Sequence, residues 1–320
     1  MKRTLITFIL IAITFTVSAG DRRTDKENLR IMSFNAEFLW DGEQPEEGRV
    51  NFLHKGSVVL ARKHMKRIAY VIKQSDPDVI SLVEVENLDA LQTMNQMFLP
   101  DMGYKAYFVK GKDTFTGQDM ALLTRVDPIG GTITRFNHKG VSGGVMKSVS
   151  KNFVATFNIN GLRLGLVGIH YLSRPSDASR VGKREAQADA TAKTVNQLYQ
   201  SGFYPIVVGD FNDFDSKVLD HKNSRPISNV LEIVKSSGTE RKNDDLLNAA
   251  QYIPQRDRYT AHWDKNKNGK VDGKKELSSI DHILISKKLS QRIKRAYIAQ
   301  DHDPAKVSDH FPVVVDLSTH

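Results

Sequence analysis

Eight short apolar runs recur along this chain with helical patterns between them, and several stop at a carboxylate, an amide or a histidine. The runs are LRIMSF (29–34), DVISLVEV (78–85), MALLTR (120–125), NFVATFNI (152–159), LRLGLVGIHYL (162–172), PIVVGDF (205–211), SIDHILIS (279–286) and FPVVVDL (311–317). Their length and their Val, Ile and Phe content predict strands. Residues 56–74 carry Val59, Ala61, Met65, Ile68, Ala69 and Ile72 at helical spacing, with Lys and Arg between. Segments 88–98 and 179–200 look similar, and 226–235 follows Pro226 as a first-turn residue. Strands alternating with helices predict an α/β or α+β sheet protein. Asn160-Gly161 joins two of the runs as a hairpin turn. No linker rich in Pro, Gly or Ser interrupts residues 25–318, so 29–320 is expected to form a single domain.

The first residues set the expected compartment. Lys2 and Arg3 precede an apolar run from Leu5 to Val17, and Val17-Ser18-Ala19 offers small residues for cleavage. This predicts a signal peptide over 1–19, a flexible N-terminus over 20–28 and a secreted or extracytoplasmic protein. The apolar run is too short for a bilayer core of about 30 Å, and no integral membrane segment is expected in the mature chain. There is no cysteine, which excludes thiol nucleophiles and Cys-ligated zinc. The formal net charge is +9; losing residues 1–19 removes Lys2 and Arg3 and no acid, and leaves 44 basic against 37 acidic residues. Such an excess suits a polyanionic partner.

The chemistry sits where the apolar runs end. Asn35 and Glu37 follow the first run, Glu84 lies in LVEVE, and His170 ends VGIH. Asp210 and Asn212 end VVGDFN, Asp281 lies in SIDHI, and Asp309 with His310 precedes FPVVV. Any one of these alone is an ordinary turn or helix cap. Together they are hard oxygen ligands with two imidazoles, a set suited to Mg²⁺ or Mn²⁺ and to proton transfer near neutral pH. That combination predicts hydrolysis of a phosphate ester.

A second oxygen-rich stretch is DKNKNGKVDGKKE (264–276). Asp264, Asn266, Asn268, Gly269 and Asp272 match positions one, three, five, six and nine of an EF-hand loop, with the backbone of Lys270 at seven. Position twelve is Lys275, and Glu276 comes one residue late. Calcium is the expected occupant, and an Asn-Gly turn the plain alternative.

In order, MSFNAEF (32–38), DVISLVEVEN (78–87), GIHYLS (168–173), VVGDFND (207–213), SIDHILIS (279–286) and SDHFPV (308–313) resemble the endonuclease/exonuclease/phosphatase superfamily. The resemblance implies an α/β (α+β) fold, a four-layer α/β/β/α sandwich with two packed, mostly antiparallel sheets and the site at one end. It also implies Glu84 as principal metal carboxylate, with Asn35 and Asp309 near it and Glu37 as a further candidate. Asp210 and Asn212 would then bind the phosphate and orient water. His310, paired with Asp281, would be the base or a phosphate-stabilising group, and His170 would protonate the leaving oxygen or contact the phosphate. Two departures stand out: Val83 where Gln is common before the metal-binding Glu, and Glu37 where Asp or Asn is common.

GIHYLS is similar to the deoxyribonuclease and sphingomyelinase branches. Abasic-site enzymes tend to carry a Tyr-Val-Pro-Asn type segment there, and SSIDHILI is unlike the corresponding inositol phosphatase segment. The lipid-cleaving alternative needs an apolar surface element, for which an exposed Trp40 in FLWDG (38–42) is the sole candidate. Nucleic acid, DNA before RNA, is the favoured substrate, because Arg174, Arg180, Lys183 and Arg184 follow His170 closely. Arg62, Lys63, Lys66 and Arg67 form an earlier basic cluster. No obligate protein partner is implied.

Overall fold

The computed structural model describes residues 20–44, 48–236 and 245–320. The expected signal peptide at 1–19 lies outside them. Two sheets face each other across a shared core. The first holds β1 (Asn28–Leu39), β2 (Val79–Val85), β3 (Lys105–Val109), β4 (Asp119–Thr124), β10 (Ile293–Ile298) and β11 (Val313–Ser318), in the order β10-β11-β1-β2-β4-β3. The second holds β5 (Lys151–Ile159), β6 (Leu162–His170), β7 (Tyr204–Asp210), β8 (Leu246–Asn248) and β9 (Asp281–Ser286), in the order β8-β9-β7-β6-β5. Pairing is antiparallel except between β1 and β2 and between β6 and β7.

Alternation along the strands separates three apolar layers. Ile31, Val79, Leu122, Phe153, Leu166, Val208, Ile283 and Val315 face one another between the sheets. On the outer face of the first sheet, Met32, Phe34 and Leu82 meet Met65, Ile68, Ile72 and Leu91 of α1 (Val58–Ser75) and α2 (Leu88–Phe98). On the outer face of the second, Val167, Val207 and Leu284 meet Ala188, Val195 and Val234 of α3 (Val181–Gln200) and α4 (Val230–Ser236). Burying so many side chains of this size, at about 1.5–3 kcal/mol each, explains how a fold of this size holds without disulfides. The expected four-layer sandwich is the one observed. The Asn160-Gly161 turn has both residues at positive φ, 52° and 83°, as a two-residue hairpin requires.

Three expectations change. Residues 20–28 are not a loose lead-in: Asp21 bridges to Val126, Arg22 pairs with Asp127 at 2.7 Å, and Arg23 is buried against Asp21 at 2.8 Å. The charges that read as a solvated tail instead find partners on β4 and the turn after it. The helix expected over 226–235 begins at Val230, not Pro226. Trp40 is wholly buried, its ring packed on Phe38 and Phe52, so the exposed tryptophan is Trp263.

Candidate active site

One edge of the sandwich collects the carboxyl ends of β1, β2, β6 and β7 and the amino ends of the antiparallel β9 and β11. Register makes this happen: Asp210 lies beside His170 on one side and Asp281 on the other. Gly209 lets Asp210 reach this position, because a Cβ there would sit 1.9 Å from the Ile169 carbonyl oxygen.

The backbone is strained at the same edge. Glu37, Phe38, Glu84 and Asn212 all have positive φ, and β1 and β2 are both bulged there. Such conformations cost on the order of 1–3 kcal/mol each and persist where surrounding contacts impose them. Here the bulges turn Glu84 to the rim of a strand whose other side chains are core.

Every predicted residue at the strand ends is joined in one network. Asn35 Nδ2 donates to Glu84 Oε1 at 3.2 Å and to Asp210 Oδ2 at 3.4 Å. His170 Nε2 lies 3.6 Å from Asp210 and 4.0 Å from Glu84. The Asn212 backbone N–H donates to Asp210 Oδ1 at 2.8 Å, and its side-chain amide donates to the Tyr171 carbonyl. His310 Nδ1 and Asp281 Oδ2 are 2.8 Å apart, and His310 Nε2 is 3.7 Å from Asp309. Glu37 Oε2 accepts the backbone N–H of Asp309 at 2.9 Å.

Burial and crowding set the charges. Burial, then the Asp281 charge, pushes Asp210 up to about 8; burial and Asp309 do the same for Glu37, again to about 8. Glu84 is raised by burial and by Asp309. For His310, burial works against the charged form, but Asp281 and Asp309 override it and hold the imidazole well above its usual value. His170 goes the other way, depressed by burial and by the cations Lys151 and His310. The two imidazoles are thus driven in opposite directions, His310 toward its charged form and His170 toward its neutral one.

This donor set fits a hard divalent ion. The buried Asp281 Oδ1 has no partner, and the carboxylates outnumber the cations that face them. Asp210, Asp281 and His310 bring one ligand atom each within 4.8 Å of one another, and Glu84 with Asn35 adjoins them. The stretch 264–276 is a loop drawn together by its own hydrogen bonds. It joins two short strands, Ala261–His262 and Leu277–Ser278, rather than two helices. Asp264 accepts from the Asn268 and Gly269 N–H groups, and Glu276 from those of Lys265 and Asp272. The Asn266 and Asn268 amides both donate to Asp272, while Lys270 gives its backbone N–H to Asn268.

The basic residues after His170 divide. Arg174 is exposed and Arg180 half-buried, and both line a cavity of about 670 Å³ that opens on Glu84 and His170. Lys183 is exposed on α3 and does not line that cavity. Arg184 corrects the expectation of nucleic-acid contact. It is wholly buried, donates to the Arg174 and Pro175 carbonyls at 2.9 Å each, and faces Asp213 at 3.6 Å. It fixes the loop that carries Arg174 instead of touching a ligand.

Sequence reasoning missed Ser308, Thr260 and Lys151. Ser308 Oγ donates to the Asn35 carbonyl and accepts the His310 N–H; its place inside SDHFPV was the available signal. Thr260 Oγ1 accepts the N–H groups of Ile280 and Asp281, fixing the acid that holds His310. Lys151 is buried at the start of β5, directly across from His170, and lines the cavity. Nothing in its spacing set it apart from other strand-end lysines.

A family model described as Endonuclease/Exonuclease/phosphatase family matches residues 32–310. No curated protein matches the chain by sequence. Among solved structures, an endonuclease/exonuclease/phosphatase family protein from Leptotrichia buccalis is similar at 17% identity, with 91% of this chain and 99% of that one covered and a TM-score of 0.60. The 3' phosphatase NExo from Neisseria, bound to product DNA hairpin, is 16% identical over 91% and 99%, with a TM-score of 0.58. A truncated TDP2 from Caenorhabditis elegans is 18% identical over 91% and 98%, with a TM-score of 0.53.

Proposed function

The chain belongs to the endonuclease/exonuclease/phosphatase family of metal-dependent phosphoesterases, and on that premise we propose that it is a secreted nuclease that hydrolyses DNA phosphodiester bonds. One observation carries the choice of substrate. The catalytic edge opens into a cavity bordered by the cations Lys112, Lys151, Arg174 and Arg180, which suits a chain of phosphates. The relative from Neisseria, bound to a DNA hairpin, supports the same reading. Secretion rests on residues 1–19 alone.

Glu84 would hold a Mg²⁺ or Mn²⁺ ion, with Asn35 and Asp309 beside it. The ion supplies Lewis-acid neutralisation of the phosphate oxygens. The chain's own groups do the rest. Asp210, fixed by the Asn212 N–H, orients the attacking water and, ionised once a cation offsets the neighbouring carboxylates, takes its proton. The His310 imidazolium, held by Asp281, stabilises the added charge on the phosphate. His170, pushed by burial toward its neutral form, donates a hydrogen bond at the leaving-group side. Glu37 sets Asp309 through its backbone instead of contacting the phosphate. The loop at 264–276 would take Ca²⁺ only by exchanging the internal hydrogen bonds of Asp264, Asp272 and Glu276 for the ion.

The test is a substrate panel on the purified mature chain: plasmid DNA, RNA and sphingomyelin vesicles, each with Mg²⁺, Mn²⁺ or EDTA. Metal-dependent loss of DNA is expected. Intact DNA and RNA beside cleaved sphingomyelin would overturn the reading in favour of a lipid phosphodiesterase.

A further inference from the structure

We propose that the cavity beside Glu84 and His170 is a nucleotide subsite, in which the Lys151 ammonium takes a phosphate and the Phe115 ring stacks on the base. The proposal rests on the nuclease reading above and assigns a place to the nucleotide next to the scissile bond.

Its volume of about 670 Å³ lies within the roughly 300–1,000 Å³ typical of ligand sites. Lys151 stands at its floor. The residue is 8% exposed, opposite His170 in register, and its Nζ lies 3.3 Å from both Asp113 Oδ2 and Gln118 Oε1. A buried ammonium needs such partners to stay charged. Its field reaches the site already: it helps depress His170 and opposes the rise of Glu84.

At the rim the order reverses, from buried charge to exposed ring. Phe115 is 64% exposed in the loop between β3 and β4, yet lines the same cavity as Lys151. An exposed phenyl on a polar loop gains nothing by burial in this chain, and offers a flat face for a base. One carboxylate ties the two together. Asp113 accepts the N–H groups of Phe115 and Thr116 through Oδ1, at 3.0 Å each, and holds Lys151 through Oδ2. The loop backbone that carries the ring is thus tied to the ammonium through one side chain.

The charge pattern selects among phosphodiesters. Four cations border the cavity, against the carboxylates of Glu84 and Asp113. A choline headgroup is itself a cation, and the excess of lysine and arginine around this cavity repels it despite the aromatic rings of Phe38 and Phe115. A nucleoside phosphate, anionic at one end and aromatic at the other, matches both features.

The experiment uses bis(4-nitrophenyl) phosphate hydrolysis as the reporter reaction, with thymidine 5'-monophosphate, inorganic phosphate and phosphocholine as competitive inhibitors. Phe115→Ala should raise the Ki of thymidine monophosphate about tenfold, within the range of base–aromatic stacking, and leave that of phosphate in place. Lys151→Gln should raise both at least tenfold, and Lys151→Arg should restore phosphate binding to within about threefold. Thermal melting identifies any Lys151 variant that fails to fold, in which case Phe115→Ala, on an exposed position, decides alone. Unchanged Ki values in Phe115→Ala overturn the subsite, as does phosphocholine binding as tightly as thymidine monophosphate. A wild type that turns over the reporter but leaves DNA intact breaks the nuclease reading, while the inhibitor series still tests the subsite.

Discussion

Asp210 ends β7 and Asp215 lies five residues further on; both are buried, and they titrate in opposite directions. Asp210 is pushed up to about 8 by burial and by Asp281. Asp215 suffers the same burial, yet Lys235, Asn248 and the Lys217 N–H bring it down to about 2. Lys235 Nζ contacts both its oxygens, at 3.0 and 3.2 Å, and Asn248 adds a bond at 3.0 Å. The peptide chain turns once between them, and the turn separates a carboxylate the fold compensates from one it leaves in need. Compensated charge holds the structure together. Uncompensated charge is where chemistry and ions go.

The largest expected effect breaks the comparison from outside. EDTA should reduce DNA hydrolysis to background, and Mg²⁺ or Mn²⁺ should restore it. The same ions should raise the melting temperature, because they relieve the repulsion among Glu84, Asp210 and Asp281; a calorimetric scan with and without ion checks this. Next, Asp210→Asn should lower kcat by about 10²–10⁴-fold with no loss of thermal stability. A variant that melts well below wild type would show that Asp210 is structural after all. His310→Ala belongs in the same range of activity loss, read on DNA under saturating metal.

Asp215→Asn should do the reverse. Removing an ionised carboxylate whose value falls from 3.8 to about 2 costs on the order of 2 kcal/mol at pH 7, or about 4 °C in melting temperature. Turnover per folded molecule should stay as in wild type. A further check is the pH profile of the metal-free protein. Asp215 has a depressed value, so its contribution is present above about 3.8 and is lost as pH falls through about 2. Asp210 has a raised value, so the native state keeps a proton that the unfolded chain has released, and stability declines from about pH 4 toward 8. Urea titrations across pH should show the acid limb flattening in Asp215→Asn and the neutral limb flattening in Asp210→Asn.

The sequence made one member of this pair visible and hid the other. Asp210 ends an apolar run and falls inside an ordered series of motifs, so both periodicity and family resemblance pointed to it. Asp215 has its reason in Lys235 and Asn248, 20 and 33 positions away, and no local pattern announces contacts of that span. The same holds for Arg184. It reads as one more cation on a basic helix, but its partners are Asp213 and two carbonyls of the preceding loop. Strand and helix periods made the layers legible because the apolar faces repeat every two or 3.6 residues. Short strands such as Leu246–Asn248 and the half-exposed Ile293–Ile298 carry too few apolar positions to register. Lys151 was hidden for a different reason: its role depends on being opposite His170, a fact of register across a hairpin.

The two tryptophans give the protein a built-in optical contrast. Trp40 is sealed inside a ring cluster, whereas Trp263 is 64% exposed, one residue from the His262 N–H that bonds Asp309. Emission should therefore divide into a blue, shielded component and a red, quenchable one, and acrylamide should remove only the second. A polyanion settling on the catalytic edge would protect that second component, so its arrival could be timed by mixing alone, without a label.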